Sequence, residues 1–562
     1  MNGEGKAHPF RTSGRILCQG DSFISEHGSQ VLLRGVNFSS ASKYPVEPDG
    51  RSHLPQTYDK TQAVSFVGRP VPLEEAQSHF RRLRQWGFNF LRWLVTWEAL
   101  EHQGPGEYDE AYLDYTQEMI RLAGENGLYV WIDPHQDVWS RFTGGDGAPA
   151  WTLEAAGIDI GKIGPTATAM LHSHLPRFYP EMSWPLNYTR VTVATMFTLF
   201  FGGNRYAPHL KVDGQPIQDW LQEHYFAALA QLAQRLREFD HVVGYGSMNE
   251  PFSGYISRTN LDKWEVPLKL GPVTTPVESM ALASGHSMEA PYYEKSALSF
   301  RYFRHIQLNP LGQRLWRPGY DCPWRSQGVW DFDKKGRPVI HKPEFITRLF
   351  ESRKDDREKK EVIFFQDFLR PFVNNFAQKI RAIDANAAVF LEGEPQPEKH
   401  DELMWGKEDA KKVINSSHFY DGKLLFTKSY HPWFSLGTTE HNRIKPLIGR
   451  RNIKKFYRDY FAKLKRLSQN SMKGVPTIIG EFGIPFDMND KQGLYSGDYG
   501  AHAEALANYY DALDARLLSG TLWNYTPSNT HAHGDGWNRE DLSIFCKDDY
   551  VRDRAQGNKA EA

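Results

Sequence analysis

Cysteine is scarce in this sequence, and long apolar runs are missing. Only Cys18, Cys322 and Cys546 occur among 562 residues, and they stand far apart. An odd and widely spaced set supplies neither a disulfide framework nor the paired spacing of a structural zinc site, which excludes the small disulfide-rich class. The most apolar stretch, residues 191–201, has about half of the roughly 20 residues that a membrane-spanning helix needs.

An excess of charge of either sign is also missing. Lys and Arg number 67 against 68 for Asp and Glu, so the formal net charge is −1. Nucleic-acid-binding proteins usually carry a basic excess, and we therefore expect no nucleic-acid partner. Residues 1–15 are polar and lack the apolar segment of a secretory signal. We expect a cytoplasmic protein, with a vacuolar or membrane-associated location as the alternatives.

Apolar material is plentiful but comes in short pieces. Hydrophobic residues make up 40% of the chain, which is enough for a core. Eight short apolar runs recur, and amphipathic helix patterns such as 73–86 and 108–126 follow several of them. Such alternation is typical of a parallel sheet, and eight strands predict a (β/α)8 TIM barrel of the α/β class. The runs are 31–37, 88–95, 128–133, 241–246, 387–391, 413–420, 475–481 and 520–525.

Two segments are too long for simple barrel connections. They cover about residues 139–222 after the third strand and 252–360 after the fourth. Both leave the C-terminal ends of strands, where barrel enzymes build their sites. Long connections of this kind are usually functional.

Polar and aromatic side chains collect where the predicted strands end. One carboxylate at such a position is more often part of a structural ion pair than of a site. Several at one end of one barrel need a reason to be desolvated. They are Arg92, His135, Asp137, Asn249, Glu250, His418, Tyr420, Glu481 and Trp523.

The chemistry that suits these residues is glycoside hydrolysis. This reaction needs two carboxyl groups across the scissile bond, one protonated and one ionised. Glu250 and Glu481 end the fourth and seventh strands, which lie on opposite sides of a barrel. Arg92 would keep Glu481 ionised, Asn249 would bind the sugar 2-hydroxyl, and Trp523 would stack on the ring.

The motifs around these positions resemble those of glycoside hydrolase family 5. The Asn-Glu-Pro at 249–251 and the Glu ending the seventh strand carry the family pattern. The sequence is most similar to the endoglycoceramidase-related branch, which includes fungal steryl-β-glucosidases and glucosylceramidases. The resemblance runs from about residue 14 to 545. Its shared stretches include 33–37, 64–68, 97–106, 133–141, 197–203, 418–422, 483–488 and 536–541.

The resemblance implies a role for each position. Glu250 would be the acid/base and Glu481 the nucleophile of a retaining, double-displacement β-glucosidase. Lys43 and Asp137 would bind the terminal glucose hydroxyls. The implied substrate is a lipid β-glucoside, either an ergosteryl-type steryl glucoside or glucosylceramide, with no cofactor or metal and with peripheral membrane contact. His135, Asn249, Tyr420 and Trp523 would also bind substrate, with Arg92 and His418 in support.

The end of the sequence departs from that branch. Its members continue into a last barrel helix and a C-terminal β-sandwich, whereas residues 546–562 here are polar and show no strand pattern. We therefore expect a barrel without those two parts. The expected organisation is a disordered N-terminus at 1–14, a catalytic barrel at 15–545, and a polar tail or truncated linker at 546–562.

Two other functions remain as alternatives. Residues 530–535 (Thr-His-Ala-His-Gly-Asp) and the pair His135 and Asp137 are rich in nitrogen and oxygen ligands, as a metal-dependent hydrolase would require. No HExxH-type spacing accompanies them, which disfavours this interpretation. A lipid-glycoside binder without turnover is the second alternative, and detectable hydrolysis separates it from an enzyme.

Overall fold

The computed structural model describes most of the chain. The described residues are 14–56, 63–175, 177, 179–258, 260–264, 268–295, 300–345, 348–349, 360–393, 404–438 and 444–555. The predicted disordered N-terminus lies outside them except for Gly14.

Eight parallel strands form a closed barrel, and each strand pairs with its neighbours in chain order. All eight coincide with predicted strands, so the TIM-barrel prediction is confirmed. Nearly all strand residues are buried, as expected for a sheet covered on both faces. The strands are β1 Arg34–Phe38, β2 Phe90–Thr96, β3 Tyr129–His135, β4 Val242–Gly246, β5 Ala388–Leu391, β6 Val413–His418, β7 Thr477–Phe482 and β8 Ser519–Leu522.

A small antiparallel sheet closes the N-terminal end of the barrel. Its strands are Ile16–Gln19, Ser22–Ser25 and Gln30–Val31. Ile16 and Phe23 pack into a cluster built from the first residues of the barrel strands. The predicted strand 31–37 is therefore divided between this cap and β1. Because the cap covers the N-terminal end, we look for a site at the C-terminal end of the strands.

Helices cover the outside of the barrel. The predicted helices 73–86 and 108–126 are confirmed, and they end near Gly87 and Gly127, whose φ angles of +93° and +77° favour glycine. The main helices are α1 Leu73–Gln85, α2 Glu110–Glu125, α3 Val191–Tyr206, α4 Ile217–Leu236, α5 Arg370–Arg381, α6 Gly422–Thr427, α7 Arg450–Ser471, α8 Gly500–Asp514 and α9 Lys547–Ala555. Shorter helices are Trp97–Glu101, Ala150–Ala155, Pro276–Ala283, Pro323–Ser326 and Met488–Ser496.

The insertion after β3 contains the apolar helix α3, most of whose residues are buried. Phe200 of this helix is fully buried, and its ring contacts Tyr225 of α4 and Phe372 of α5 at ring-centroid distances of 5.7 Å and 5.3 Å. The apolar stretch 191–201 is therefore a helix packed against the barrel. Among the described residues, no helix combines the length and the apolar character that crossing a membrane requires.

The insertion after β4 is mainly antiparallel. A three-stranded sheet is followed by two short strand pairs. The sheet consists of Gly271–Pro272, Met288–Lys295 and Phe300–Leu308. The pairs are Trp330–Phe332 with Pro338–Ile340, and Arg348–Leu349 with Lys360–Glu361.

Two further strand pairs lie in other connections. A hairpin that follows α6, which we call the β6–α7 hairpin, pairs Phe434–Thr438 with Ile444–Ile448. Before α4, Lys211–Val212 pairs with Gln215–Pro216.

The C-terminal segment contains a helix that the sequence analysis missed. Residues 546–562 were predicted as a polar tail or linker, but α9 occupies 547–555. Tyr550 on this helix contacts Phe545 at 5.8 Å and lies 4.6 Å from the guanidinium of Arg82 on α1. Asp548 and Asp549 in the first turn lie at the positive end of the helix dipole. These acidic residues were an indication of a helix start that a search for apolar periodicity does not detect.

We expect Phe200→Ala to lower the free energy of unfolding by about 3–5 kcal/mol, because it leaves a cavity between α3, α4 and α5. Urea unfolding followed by circular dichroism measures this change. Leu311→Ala, at a side chain 78% exposed, is the control and should change stability by less than about 0.5 kcal/mol. Equal losses in both variants would contradict the described packing of α3.

Candidate active site

The C-terminal end of the barrel gathers all ten residues that the sequence analysis selected. Each comes from a barrel strand or from the connection after it, and contacts link them into one cluster. They are Lys43 after β1, Arg92 on β2, His135 and Asp137 at and after the end of β3, Asn249 and Glu250 after β4, His418 and Tyr420 at and after the end of β6, Glu481 on β7, and Trp523 after β8.

Arg92 is the centre of the cluster and is fully buried. Its Nη1 donates hydrogen bonds to Glu481 Oε1 at 2.6 Å and to Asn37 Oδ1 at 2.8 Å. Its Nη2 donates to Asn249 Oδ1 at 2.7 Å. A planar guanidinium with fixed donors therefore sets the positions of side chains from three other strands or their ends. Asn37 was not selected from the sequence.

Glu392, directly after β5, is the most important residue that the sequence analysis missed. Its Oε1 accepts a hydrogen bond from Arg92 Nη2 at 2.8 Å. Its Oε2 accepts one from the backbone N–H of Glu250 at 3.0 Å and lies 3.3 Å from His418 Nε2. Burial acts to raise the pKa of Glu392, but the charges of Arg92 and His418 outweigh burial and lower it to about 2. The sequence offers one indication of this role, its position directly after a strand, which residues in ordinary ion pairs share.

Glu481 has two well-placed donors. Besides the Arg92 contact, its Oε2 accepts a hydrogen bond from the Tyr420 hydroxyl at 2.9 Å. Burial and the neighbouring carboxylate of Glu481 raise the pKa of Tyr420 well above its usual value, so the phenol keeps its proton and remains a donor. Both Glu481 oxygens are thus held in place by hydrogen bonds from neighbouring strands.

Glu250 faces Glu481 across the cluster. A carboxylate oxygen of each residue and a ring nitrogen of His418 all lie within 4.8 Å of one another. The Glu250 backbone has a φ of +38°, a conformation that non-glycine residues adopt at a cost and that is common at functional sites. The amide of Gln136 donates to its carbonyl oxygen at 3.1 Å and helps to hold this conformation.

Burial raises the pKa of Glu250. His418, whose Nδ1 lies 2.9 Å from Glu250 Oε1, acts in the opposite direction, and the charge of Glu481 adds to the rise. For His418 itself, burial would lower the pKa, but Glu481 and Glu392 outweigh burial and hold it well above its usual value. The two facing carboxyl groups therefore have different environments: Glu250 contacts His418 and has a raised pKa, whereas Glu481 accepts hydrogen bonds from Arg92 and Tyr420.

Lys43 and Asp137 form the other half of the cluster. Lys43 Nζ lies 2.5 Å from Asp137 Oδ2 and 3.9 Å from Asp146 Oδ2. Burial would lower the pKa of Lys43, but these carboxylates outweigh it and raise the pKa, so the ammonium persists. The ring of Trp523 lies 4.4 Å from Lys43 Nζ and stacks on the imidazole of His135 at 5.3 Å.

His135 is linked to Arg92 through Asp133, a buried residue that the sequence analysis did not select. His135 Nδ1 lies 2.7 Å from Asp133 Oδ2, and Asp133 Oδ1 lies 3.0 Å from Arg92 Nη2. Burial acts to lower the pKa of His135, but Asp133 outweighs it and raises it to about 9. The two halves of the site are therefore joined by one chain of ionic contacts.

An acidic and aromatic group near Lys43 was also missed. Trp184, from the insertion after β3, donates its indole N–H to Glu540 Oε1 at 2.7 Å. Trp537 contacts Trp184 at 5.0 Å and lies 3.7 Å from Lys43 Nζ. Burial raises the pKa of Glu540 to about 8 despite the nearby Lys43. Residues 536–541 are one of the stretches that resemble the family, but no local sequence pattern indicates that their side chains line a pocket.

The metal-dependent alternative depends on His135 and Asp137. With Asp146 they have potential ligand atoms within 4.8 Å of one another. The ammonium of Lys43 already contacts Asp137 and lies 3.9 Å from Asp146, so a cation of the chain itself stands next to both carboxylates. In the second proposed motif, His531 pairs with Asp549 at 3.1 Å and His533 stacks on His53 at 4.1 Å, so the two histidines have separate partners.

Comparison with known proteins decides the family. The family model for cellulase, glycosyl hydrolase family 5, matches residues 56–282 and 351–529. The chain belongs to glycosyl hydrolase family 5. The predicted resemblance to this family is thereby confirmed.

Relatives match this family 5 chain over nearly its whole length. It is 35% identical to a glucosylceramidase of Aspergillus fumigatus, over 95% of this chain and 74% of the relative. It is 33% identical to an ergosteryl-beta-glucosidase of Saccharomyces cerevisiae, over 94% and 75%. The crystal structure of Cryptococcus neoformans sterylglucosidase 1 superposes with a TM-score of 0.88 at 32% identity, over 96% of this chain and 82% of that one.

We expect Glu392→Gln to lower kcat by about a hundredfold with little change in KM, because Glu392 positions Arg92, His418 and the Glu250 backbone. Steady-state hydrolysis of an aryl β-glucoside measures both constants. Glu125→Gln, an exposed change on α2, is the control and should leave them unchanged. A wild-type kcat for Glu392→Gln would contradict this positioning role.

Proposed function

We propose that this protein is a retaining β-glucosidase that releases glucose from lipid β-glucosides, either steryl β-glucosides or glucosylceramide. The observation that carries the proposal is the facing pair of Glu250 and Glu481, with carboxylate oxygens within 4.8 Å. Retaining glycosidases hold their carboxyl groups about 5–5.5 Å apart, whereas inverting enzymes leave about 6.5–9.5 Å for a water molecule. The relatives named glucosylceramidase and ergosteryl-beta-glucosidase support the substrate class.

In the first step, Glu481 attacks the anomeric carbon of the glucoside. A bond forms between its carboxylate oxygen and that carbon as the bond to the lipid oxygen breaks. Glu250 donates its proton to this leaving oxygen, and the aglycone departs as a neutral alcohol. Arg92 and the Tyr420 hydroxyl hold Glu481 for attack, and the raised pKa of Glu250 keeps the proton in place.

In the second step, water replaces Glu481 at the anomeric carbon. Glu250 removes a proton from the water, and the glucosyl ester breaks to regenerate the Glu481 carboxylate. Esterification removes the negative charge of Glu481, which is one of the causes that raise the pKa of Glu250. The pKa of Glu250 therefore falls after the first step, which suits its change from acid to base. Two inversions give β-glucose.

The glucose ring would lie between the carboxylates and the Lys43 group. Trp523 offers a face for stacking, and Lys43 and Asp137 offer a donor and an acceptor for the distal hydroxyls. Asn249, oriented by Arg92 at 2.7 Å, would bind the 2-hydroxyl. Trp537 covers the far side of Lys43, which suits a single terminal sugar.

The aglycone would contact an apolar group at the C-terminal end of the barrel. Segments from three connections meet there and supply both aromatic and aliphatic side chains. Such a surface discriminates between a rigid sterol and a two-chain ceramide by shape. Its members are Leu186, Trp264, Leu268, Leu270, Phe300 and Phe426.

We also propose that the protein contacts membranes peripherally and works in a reducing compartment such as the cytoplasm. A lipid glucoside resides in a bilayer, so the enzyme must approach a lipid surface to reach it. All three cysteines are free, which is in keeping with a reducing environment.

We expect Glu481→Gln to abolish hydrolysis of every β-glucoside, because an amide cannot replace the carboxylate as the nucleophile that forms the ester. Glu250→Gln should lose about 10²–10⁴-fold on lipid glucosides but much less on a dinitrophenyl glucoside, whose leaving group needs no proton. Glucose release and single-turnover kinetics measure these losses. Equal losses on both substrates in Glu250→Gln would contradict the acid role. NMR of the first product should show β-glucose, and α-glucose would exclude retention.

The activity should fall as the pH rises through the pKa of Glu250, because the first step needs its proton. His418 lowers this pKa, so His418→Asn should move the alkaline limb of the kcat/KM profile upward by about one pH unit. The control is His305→Asn at the edge of the insertion sheet, which should leave the limb in place. A downward shift in His418→Asn would contradict the assigned electrostatics.

A further inference from the structure

The β6–α7 hairpin has an apolar outer face. Its pairing sets Phe434 opposite Ile448 and Leu436 opposite Pro446, and Ile444 lies on the same side of the ribbon. Ile444 is 67% exposed and Ile448 is 68% exposed. Two-stranded ribbons in proteins that meet only water usually carry polar residues on the outer face. These five side chains, which we call the outer face, therefore suit contact with a surface other than water.

The inner side of the hairpin is fixed next to the active site. Ser435 Oγ donates a hydrogen bond to the buried Asp421 at 2.7 Å, and the Tyr457 hydroxyl of α7 donates to the same oxygen at 3.0 Å. Asp421 also caps α6 and directly follows Tyr420, whose hydroxyl contacts Glu481. The outer face is thus held at the end of the barrel where substrate enters.

Cationic and indole side chains border the outer face. The guanidinium of Arg450 lies 5.6 Å from the ring of Trp433, which is 59% exposed. Lys423 Nζ lies 5.8 Å from the ring of Phe434, and Lys445 and Arg451 are exposed. Tryptophan favours the bilayer interface, and Lys and Arg next to an apolar patch attract anionic lipid headgroups.

We propose that the outer face docks on the surface of an anionic lipid bilayer and so brings the entrance of the active site to membrane-resident glucosides. This inference rests on the proposed function, because a lipid substrate supplies the reason for docking. Apolar side chains would enter the headgroup region while the surrounding cations contact acidic lipids. The patch lies on the substrate side of the barrel, a position that docking requires.

The test uses the full chain with vesicles of phosphatidylcholine alone or mixed with phosphatidylserine. The variant is Ile444→Ser with Ile448→Ser. The control is Leu17→Ser with Leu517→Ser, which changes two side chains 52% and 59% exposed at the capped end of the barrel. Co-sedimentation should give binding to the mixed vesicles that weakens with salt, and the Ile variant should bind about tenfold more weakly while the control binds normally.

Activity on two substrates separates docking from catalysis. The Ile variant should lose about tenfold on a glucoside embedded in mixed vesicles and nothing on a soluble aryl β-glucoside. Unchanged vesicle binding in this variant, or equal losses in the control, would overturn the proposal. So would a concentration-dependent dimer that the Ile substitutions abolish, because the face would then meet a second copy. Vesicle binding without hydrolysis of any glucoside would refute the proposed function and leave the docking surface standing.

Discussion

A buried guanidinium is the interaction on which the site depends. Arg92 is fully buried and contacts carboxylates from three different strands or strand ends: Glu481, Glu392 and Asp133. A charge in a dry barrel is stable only when it is paired and hydrogen-bonded, so Arg92 and its partners require one another. Because these partners come from β3, β5 and β7, the same contacts that neutralise the charge also fix the barrel's open end. The same contacts therefore serve both the barrel and the site.

The electrostatic differences between the carboxyl groups follow from their distance to the cations. Glu392 contacts both Arg92 and His418 and has its pKa lowered to about 2, whereas Glu250 contacts His418 but not Arg92 and has its pKa raised by burial. The pKa values of two glutamates within one cluster are thus shifted in opposite directions. The Tyr420 hydroxyl stays protonated and donates a hydrogen bond to Glu481.

Under the proposed function, different connections bind the sugar and the lipid. The sugar end is built from the short connection after β1, the first residues after β3 and the segment after β8, which together surround Lys43 with acidic and aromatic groups. The apolar end comes from the insertions after β3 and β4 together with α6. The β6–α7 hairpin lies beyond α6, and Asp421 ties both to the wall that bears Tyr420.

The sequence by itself determined the barrel and its two facing glutamates. Each strand is a short buried run, and Glu250 and Glu481 end strands that any eight-stranded barrel sets on opposite sides. The spacing of the apolar runs and their order along the chain were therefore sufficient to predict the barrel and this pair. The role of Glu392 could not be predicted from the sequence, because a single glutamate after the fifth strand has the same local pattern as a glutamate in an ordinary ion pair. Its meaning lies in contacts with Arg92, 300 residues away in the chain. The N-terminal cap, α9 and the Glu540 group were decided in the same way, since packing between distant segments, and not local pattern, places them.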